Sequence, residues 1–326
     1  MNALAERHAA GTLTLSQQLK WAKDITTAFI HISASPASFY SDLRPDNIVI
    51  SVGVGGTETA TLIDFEQGRN LYNWAAPEIY YIEWIAELGD EGYARSDAIE
   101  PSIRAHYKAL LTRYLASRSF PYPPLPNSRT DKRGYDNPEH GWYFPWLASS
   151  QAEREAAEVY MLGRVMWCIF EGRADADIVL GRSTKYEVEQ DRDGGHWFPE
   201  FRQTPEALRP LISRCTAGAR EWEGEDGPLG ICRVGGKVFP RGRTGRNGEP
   251  AATFEETMDA ITKSWRKEME KAEAFIEAKM RYDSKSATEE DLKLLGYLKR
   301  PKLDDVLLEL DGFRLPGAPS RSCCCL

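Results

Sequence analysis

The sequence predicts a mainly helical chain carrying one small β-hairpin. Three observations support this. Apolar residues recur at helical spacing over 13–33 and again over 254–280. The stretch 153–171 is apolar nearly all round, as a central helix would be. Two short β-rich runs, 48–51 and 60–63, flank a glycine-rich connection.

The first helix, 13–33, places Leu15, Leu19, Ala22, Ile25 and Phe29 on one face, and Thr14 with Gln17 forms a capping box at its start. Residues 33–38 (S-A-S-P-A-S) read as loop. Next come the two β runs, joined by V-G-V-G-G-T-E-T. Gly53, Gly55 and Gly56 resemble a phosphate cradle, but such a loop opens a helix and this one leads into a strand, which favours a hairpin turn. Residues 79–150 are aromatic-rich and read as irregular after a helix at 100–117. Within them F-P-Y-P-P-L-P-N, 120–127, reads as a packed connector rather than a polyproline ligand.

The central helix spans 153–171 and stops at Gly172. A further helix lies near 204–215, and residues 223–252 read as glycine-rich loop. The helix at 254–280 carries Phe254, Met258, Ile261, Trp265, Met269, Ala272, Phe275 and Met280 on one stripe, with a charged solvated face opposite. Thr288 and Asp291 cap another helix start. The last helix covers 304–310, and residues 313–326 form a disordered tail.

The 326 residues are 42% hydrophobic and 28% charged, ordinary for a globular chain. Net charge is −8, which argues against nucleic acid as a partner. The basic stretch Arg233, Lys237, Arg241, Arg243, Arg246 reads as a solvated loop, with phosphate contact as the alternative. Cys168, Cys215 and Cys232 lack metal or disulfide spacing, so reducing cytosol is the expected compartment. No run of about eighteen apolar residues is present to span a membrane. The terminal C-C-C-L places Cys323 four from the end, a weak prenylation signal that by itself implies only marginal membrane attachment; the favoured alternative is a disordered tail without lipid.

The chemistry concentrates in Y-S-D-L-R-P-D-N-I-V-I, 40–50, and in T-L-I-D-F-E, 61–66. A hairpin brings Asp42, Asn47 and Asp64 to the same end of two paired strands. That set suits phosphoryl transfer: one carboxylate takes the proton of an attacking hydroxyl, an amide oxygen and a second carboxylate hold Mg2+ on ATP, and a cation, here Arg44, offsets phosphate charge.

At these residues the chain resembles eukaryotic protein kinases, with the flavour of fungal kinase-like proteins. D-L-R-P-D-N is similar to their D-L-K-P-x-N loop and I-D-F-E to D-F-G. W-A-A-P-E, 74–78, resembles A-P-E; E-V-Y-M-L-G-R-V-M-W, with Glu158, resembles the D-V-W-S-x-G helix; K-R-P-K-L-D-D-V-L, 299–307, resembles the R-P stretch of the last kinase helix. The resemblance covers 12 to about 312, with insertions at 79–150 and 216–296. It implies a kinase-like large lobe in which Asp42 is the catalytic base, Arg44 faces phosphate, and Asn47 and Asp64 hold Mg2+. It also implies that Glu78 pairs with Arg300, with Arg220 as runner-up. ATP and a protein hydroxyl, of the serine/threonine style because Pro45 follows Arg44, would be the substrates.

The departures are equally specific. Nothing before Asp42 resembles the glycine-rich loop or the V-A-I-K lysine, so the expectation is a large lobe whose small N-terminal lobe is missing and which is inactive alone. Tyr40 and Ser41 replace histidine and arginine, Glu66 replaces glycine, and only fourteen positions separate Asp64 from Glu78. Two rivals follow: a phosphotransferase for choline-like or aminoglycoside-like hydroxyls, and a catalytically dead pseudokinase acting as an interaction module.

Overall fold

A computed structural model describes residues 7, 10–53, 55–65, 74–89, 100–118, 144–173, 181–183, 186–190, 198–219, 222, 231–234, 237–240 and 252–313. Arg220, Glu66, Cys323, the connector 120–127 and the tail beyond Phe313 lie outside the described residues. The described chain is mainly helical and carries a two-stranded antiparallel hairpin.

Helix α1, Leu15–Ser33, starts at a complete Thr14–Gln17 capping box and buries Leu19, Ala22, Ile25 and Phe29. Strands β1, Ile48–Val52, and β2, Glu58–Leu62, pair antiparallel with Ile48 opposite Leu62. Their connection is a turn: Gly55 and Gly56 stand at φ +83° and +78°, where only glycine sits without strain. The Ala60 N–H donates to the Asp24 carboxylate at 3.1 Å, which fastens β2 to α1.

Helix α2, Pro77–Gly89, was not read from the sequence. Ile79, Tyr80, Tyr81, Ile82, Ile85, Ala86 and Leu88 are all buried, together with Glu78 and Glu83. A helix with so little polar face has no amphipathic period to betray it. It packs on α3, Pro101–Ser117, so closely that a Cβ on Gly89 would lie 2.9 Å from the Lys108 nitrogen. One turn, α4, Phe144–Leu147, precedes α5, Gln151–Glu171, which is capped by Ser150 and ended by Gly172 in the left-handed region.

Helix α6, Arg209–Cys215, crosses α5 at Gly163, where any side chain would meet Cys215 and Thr216 at 2.7 Å. The Glu171 carboxylate accepts the N–H groups of Arg202, Gln203 and Thr204, tying the end of α5 to the chain before α6.

A second sheet was not read from the sequence. Strands β3, Gly181–Ser183, β4, Tyr186–Gln190, β5, Ile231–Val234, and β6, Lys237–Pro240, line up in that order. The β4–β5 pair is parallel and the other two are antiparallel. This corrects the reading of 223–252 as loop. Two four-residue strands, I-C-R-V and K-V-F-P, flank Gly235–Gly236, and that glycine pair is a hairpin signal outweighed by the glycine content around it.

Helix α7, Phe254–Asp283, rests on this sheet and on α2 and α3; α8, Glu289–Leu294, and α9, Leu303–Gly312, close the fold. One core gathers α1, the hairpin, α5, α6 and α9. A second gathers α2, α3 and the C-terminal half of α7. Among the described residues no helix is long and apolar enough to cross a membrane.

Candidate functional site

The candidate residues gather where α1, the hairpin and α5 meet. After Asp42, Arg44 is extended and Pro45–Asn47 form one 3-10 turn leading into β1. Proline suits the first position of that turn because its fixed φ is already helical. The turn folds Asn47 back: its Nδ2 donates to the Asp42 carbonyl oxygen and to Asp42 Oδ2, both at 2.9 Å. Arg44 Nε stands 3.4 Å from the same Oδ2. The other oxygen, Oδ1, is buried and has no hydrogen-bond partner among the described residues.

Burial pushes the Asp42 carboxyl up to about 6, and Asp64 and Asp46 add to the rise; Arg44 and Asn47 oppose it. Asp64 reaches this end of the hairpin because the Ile63 N–H donates to the Asn47 carbonyl at 3.0 Å, extending the ladder past Leu62. It is exposed and stands at φ +62°, a left-handed conformation that Asp tolerates better than most residues. Held strain of this kind concentrates at functional positions. The structure therefore brings Asp42, Arg44, Asn47 and Asp64 together.

The donor set fits Mg2+ held together with substrate phosphates. With Asn47 Nδ2 engaged by Asp42, the amide oxygen is its remaining cation ligand, and Asp64 presents an exposed carboxylate. Both are hard oxygen donors. The described residues contain no cluster of three or more His, Cys, Asp or Glu side chains that could hold a metal ion, so they build no all-protein cage.

Tyr40 and Glu158 hold the loop from beneath. The Tyr40 hydroxyl donates to the Ile63 carbonyl at 2.6 Å, and its ring lies 6.1 Å from Phe29 and 5.2 Å from Phe65. Burial first, then Asp42, pushes the phenol well above its usual range, so it stays a donor. The sequence marked Tyr40 only as a replacement; an aromatic ring with a polar tip beside a turn acid was the available signal. The Tyr40 N–H donates to Glu158 Oε1 at 2.8 Å.

Glu158 is 1% exposed, and burial lifts its carboxyl to about 8; Glu155 adds to this, while the Tyr40 N–H and Arg154 oppose it. Between 4.5 and about 8 the folded chain holds a proton that the unfolded chain has released. Stability from this group is full below about pH 4.5 and is lost as pH rises through about 8. Glu158→Gln keeps an acceptor for Tyr40 and removes that loss. In thermal melts its advantage over the wild type should be near zero at pH 4.5 and reach on the order of a few kcal/mol at pH 8. An advantage independent of pH would show that Glu158 is ionised in the fold.

Away from this cluster, Arg300 donates to both Glu78 oxygens, at 2.5 and 3.0 Å, and both side chains are buried. Arg300 also donates to the carbonyls of Ala217 and Ala156 and lies over the Tyr160 ring at 4.8 Å. Comparison with protein-family models, with curated proteins and with solved structures finds no match.

Proposed function

We propose that this chain is a phosphotransferase of protein-kinase type, with Asp42 as its base. The observation behind this reading is the state of one carboxylate. Asp42 is held through Oδ2 by Asn47 and Arg44, lifted to about 6, and left with Oδ1 as a free acceptor beside Asp64. A group poised near neutrality suits proton transfer at physiological pH.

In the step, the acceptor O–H bond breaks and its proton goes to Asp42 Oδ1. The acceptor oxygen bonds to the γ-phosphorus, and ADP leaves with the electron pair of the broken P–O bond. Arg44 turns from Asp42 towards the transferred phosphoryl group; its 3.4 Å contact is long for a charge-assisted bond, so little is lost. Asn47 and Asp64 would hold Mg2+, which when bound neutralises charge on the nucleotide phosphates. The acceptor is a protein hydroxyl; a choline-like or sugar hydroxyl is the alternative.

One observation favours the non-catalytic reading. Asp42 is 5% exposed, so a hydroxyl reaches it only after its neighbours part. Thermal melts with Mg-ATP separate the readings. Nucleotide at a hundred times its dissociation constant adds about 2.7 kcal/mol to stability. A positive shift, with labelled γ-phosphate appearing on protein, supports the kinase reading. Label on choline or sugar hydroxyls alone moves the assignment to the small-molecule class, and no shift at millimolar Mg-ATP overturns both.

A further inference from the structure

The residue immediately ahead of the candidate loop is clasped by a segment outside it. The rings of Phe39 and Trp146 are parallel within 4°, with centroids 5.3 Å apart. The Arg154 guanidinium lies 5.0 Å over the same Phe39 ring, and Arg154 Nε donates to the Trp146 carbonyl at 2.8 Å. Phe39 and Trp146 are both buried. One residue further on, Glu158 takes the Tyr40 N–H. Arg154 and Glu158 are successive members of one face of α5, so that face and Trp146 fix Phe39 and Tyr40 together. Ser38, just before them, stands at φ +61°, an uncommon left-handed position for serine.

We infer that Trp146 is a positioning residue for Asp42, acting through the Phe39 ring. This rests on the phosphotransferase reading of the same site. Asp42 lies three positions after Phe39, with its carboxylate aimed by Asn47 Nδ2 at 2.9 Å and by the longer Arg44 contact at 3.4 Å. A displacement of Phe39 is transmitted along two intervening residues, Tyr40 and Ser41, both buried and unable to absorb it. Misplacement of a reacting group by about 1 Å costs up to about 100-fold in rate.

The indole nitrogen of Trp146 is buried without a hydrogen-bond partner among the described residues. Tryptophan therefore serves here as a ring and not as a donor, and phenylalanine at this place would keep the stacking while removing an unsatisfied N–H. Leucine keeps apolar bulk but not the stack. The discriminating pair is thus Trp146→Phe and Trp146→Leu, with Phe39→Leu removing the partner ring should Trp146→Leu fail to fold.

The readout is the Asn47 side-chain amide in a 15N-labelled full chain, since its Nδ2 donates to Asp42 through two bonds. Folding is checked by near-UV circular dichroism. In Trp146→Leu the Asn47 amide signals should move towards those of a free amide and exchange with water about 10-fold faster, while Trp146→Phe keeps both at wild-type values. If transfer is found in the wild type, Trp146→Leu should lower kcat about 10- to 100-fold with KM for ATP within about twofold. Wild-type Asn47 signals in a folded Trp146→Leu or Phe39→Leu chain would overturn the inference. Absence of transfer in the wild type overturns the phosphotransferase reading instead and leaves the amide signals to decide this one.

Discussion

Asp42→Asn lowers kcat by about 10²- to 10⁴-fold, the range that a positioned acid–base group supplies. The fold should survive, because an asparagine oxygen at the Oδ2 position still accepts from Asn47 Nδ2. Stability at pH 7 should hold or rise slightly. The wild-type carboxyl is lifted to about 6, so at pH 7 it is ionised in a site that favours its neutral form, and the amide carries no such cost. The pH profile provides the second half of the test. The base acts ionised, so wild-type transfer should climb as pH rises through about 6 and then level off, and that limb should be missing from the variant's residual rate. Steady-state transfer between pH 5 and 8, with circular dichroism on both proteins, measures it. A variant retaining more than about a tenth of the wild-type kcat would remove Asp42 from the role of base.

Arg300→Met destabilises the chain by about 3–5 kcal/mol, because it leaves the Glu78 carboxylate charged, buried and alone. For a chain of this length that corresponds to a fall of roughly 4–7 °C in Tm. Glu78→Leu combined with Arg300→Met should recover part of the loss, since no charge then remains to be solvated. The recovery stays incomplete because the carbonyls of Ala156 and Ala217 lose their donor in both proteins. A double-mutant cycle in urea gives the coupling. A single-variant loss below about 1 kcal/mol would mean that water reaches Glu78, contrary to its burial.

What the sequence disclosed follows the range of each signal. Thr14 with Gln17 and Thr288 with Asp291 are local codes, and both caps are present in the fold. The hairpin was legible for the same reason: two β runs and their glycines lie within fifteen residues. Helix α2 was missed because Ile79 to Leu88 has too little polar face to set a period, and β5–β6 because glycine and arginine around them mask short apolar alternation. At the site, the residue types of Asp42, Asn47 and Asp64 were readable. The left-handed backbone of Asp64, the hydroxyl of Tyr40 on Ile63 and the Trp146–Phe39 stack were not, because each depends on a contact that no local spacing encodes.

Glu78 and Arg300 are separated by 222 positions, and Gln18 reaches the Ile169 carbonyl across 151. Helix α1 packs on α9, almost the whole described length away. These are loop closures, and their entropy must be met before the contacts return anything. During synthesis the hairpin can cover part of α1 early, but the part that packs on α9 emerges long before its partner and waits uncovered, a surface a chaperone would shield. The same reasoning separates the two rates in a folding experiment. A contact that closes late is absent from the transition state, so loosening Glu78 from Arg300 should hasten unfolding while leaving the refolding rate nearly untouched.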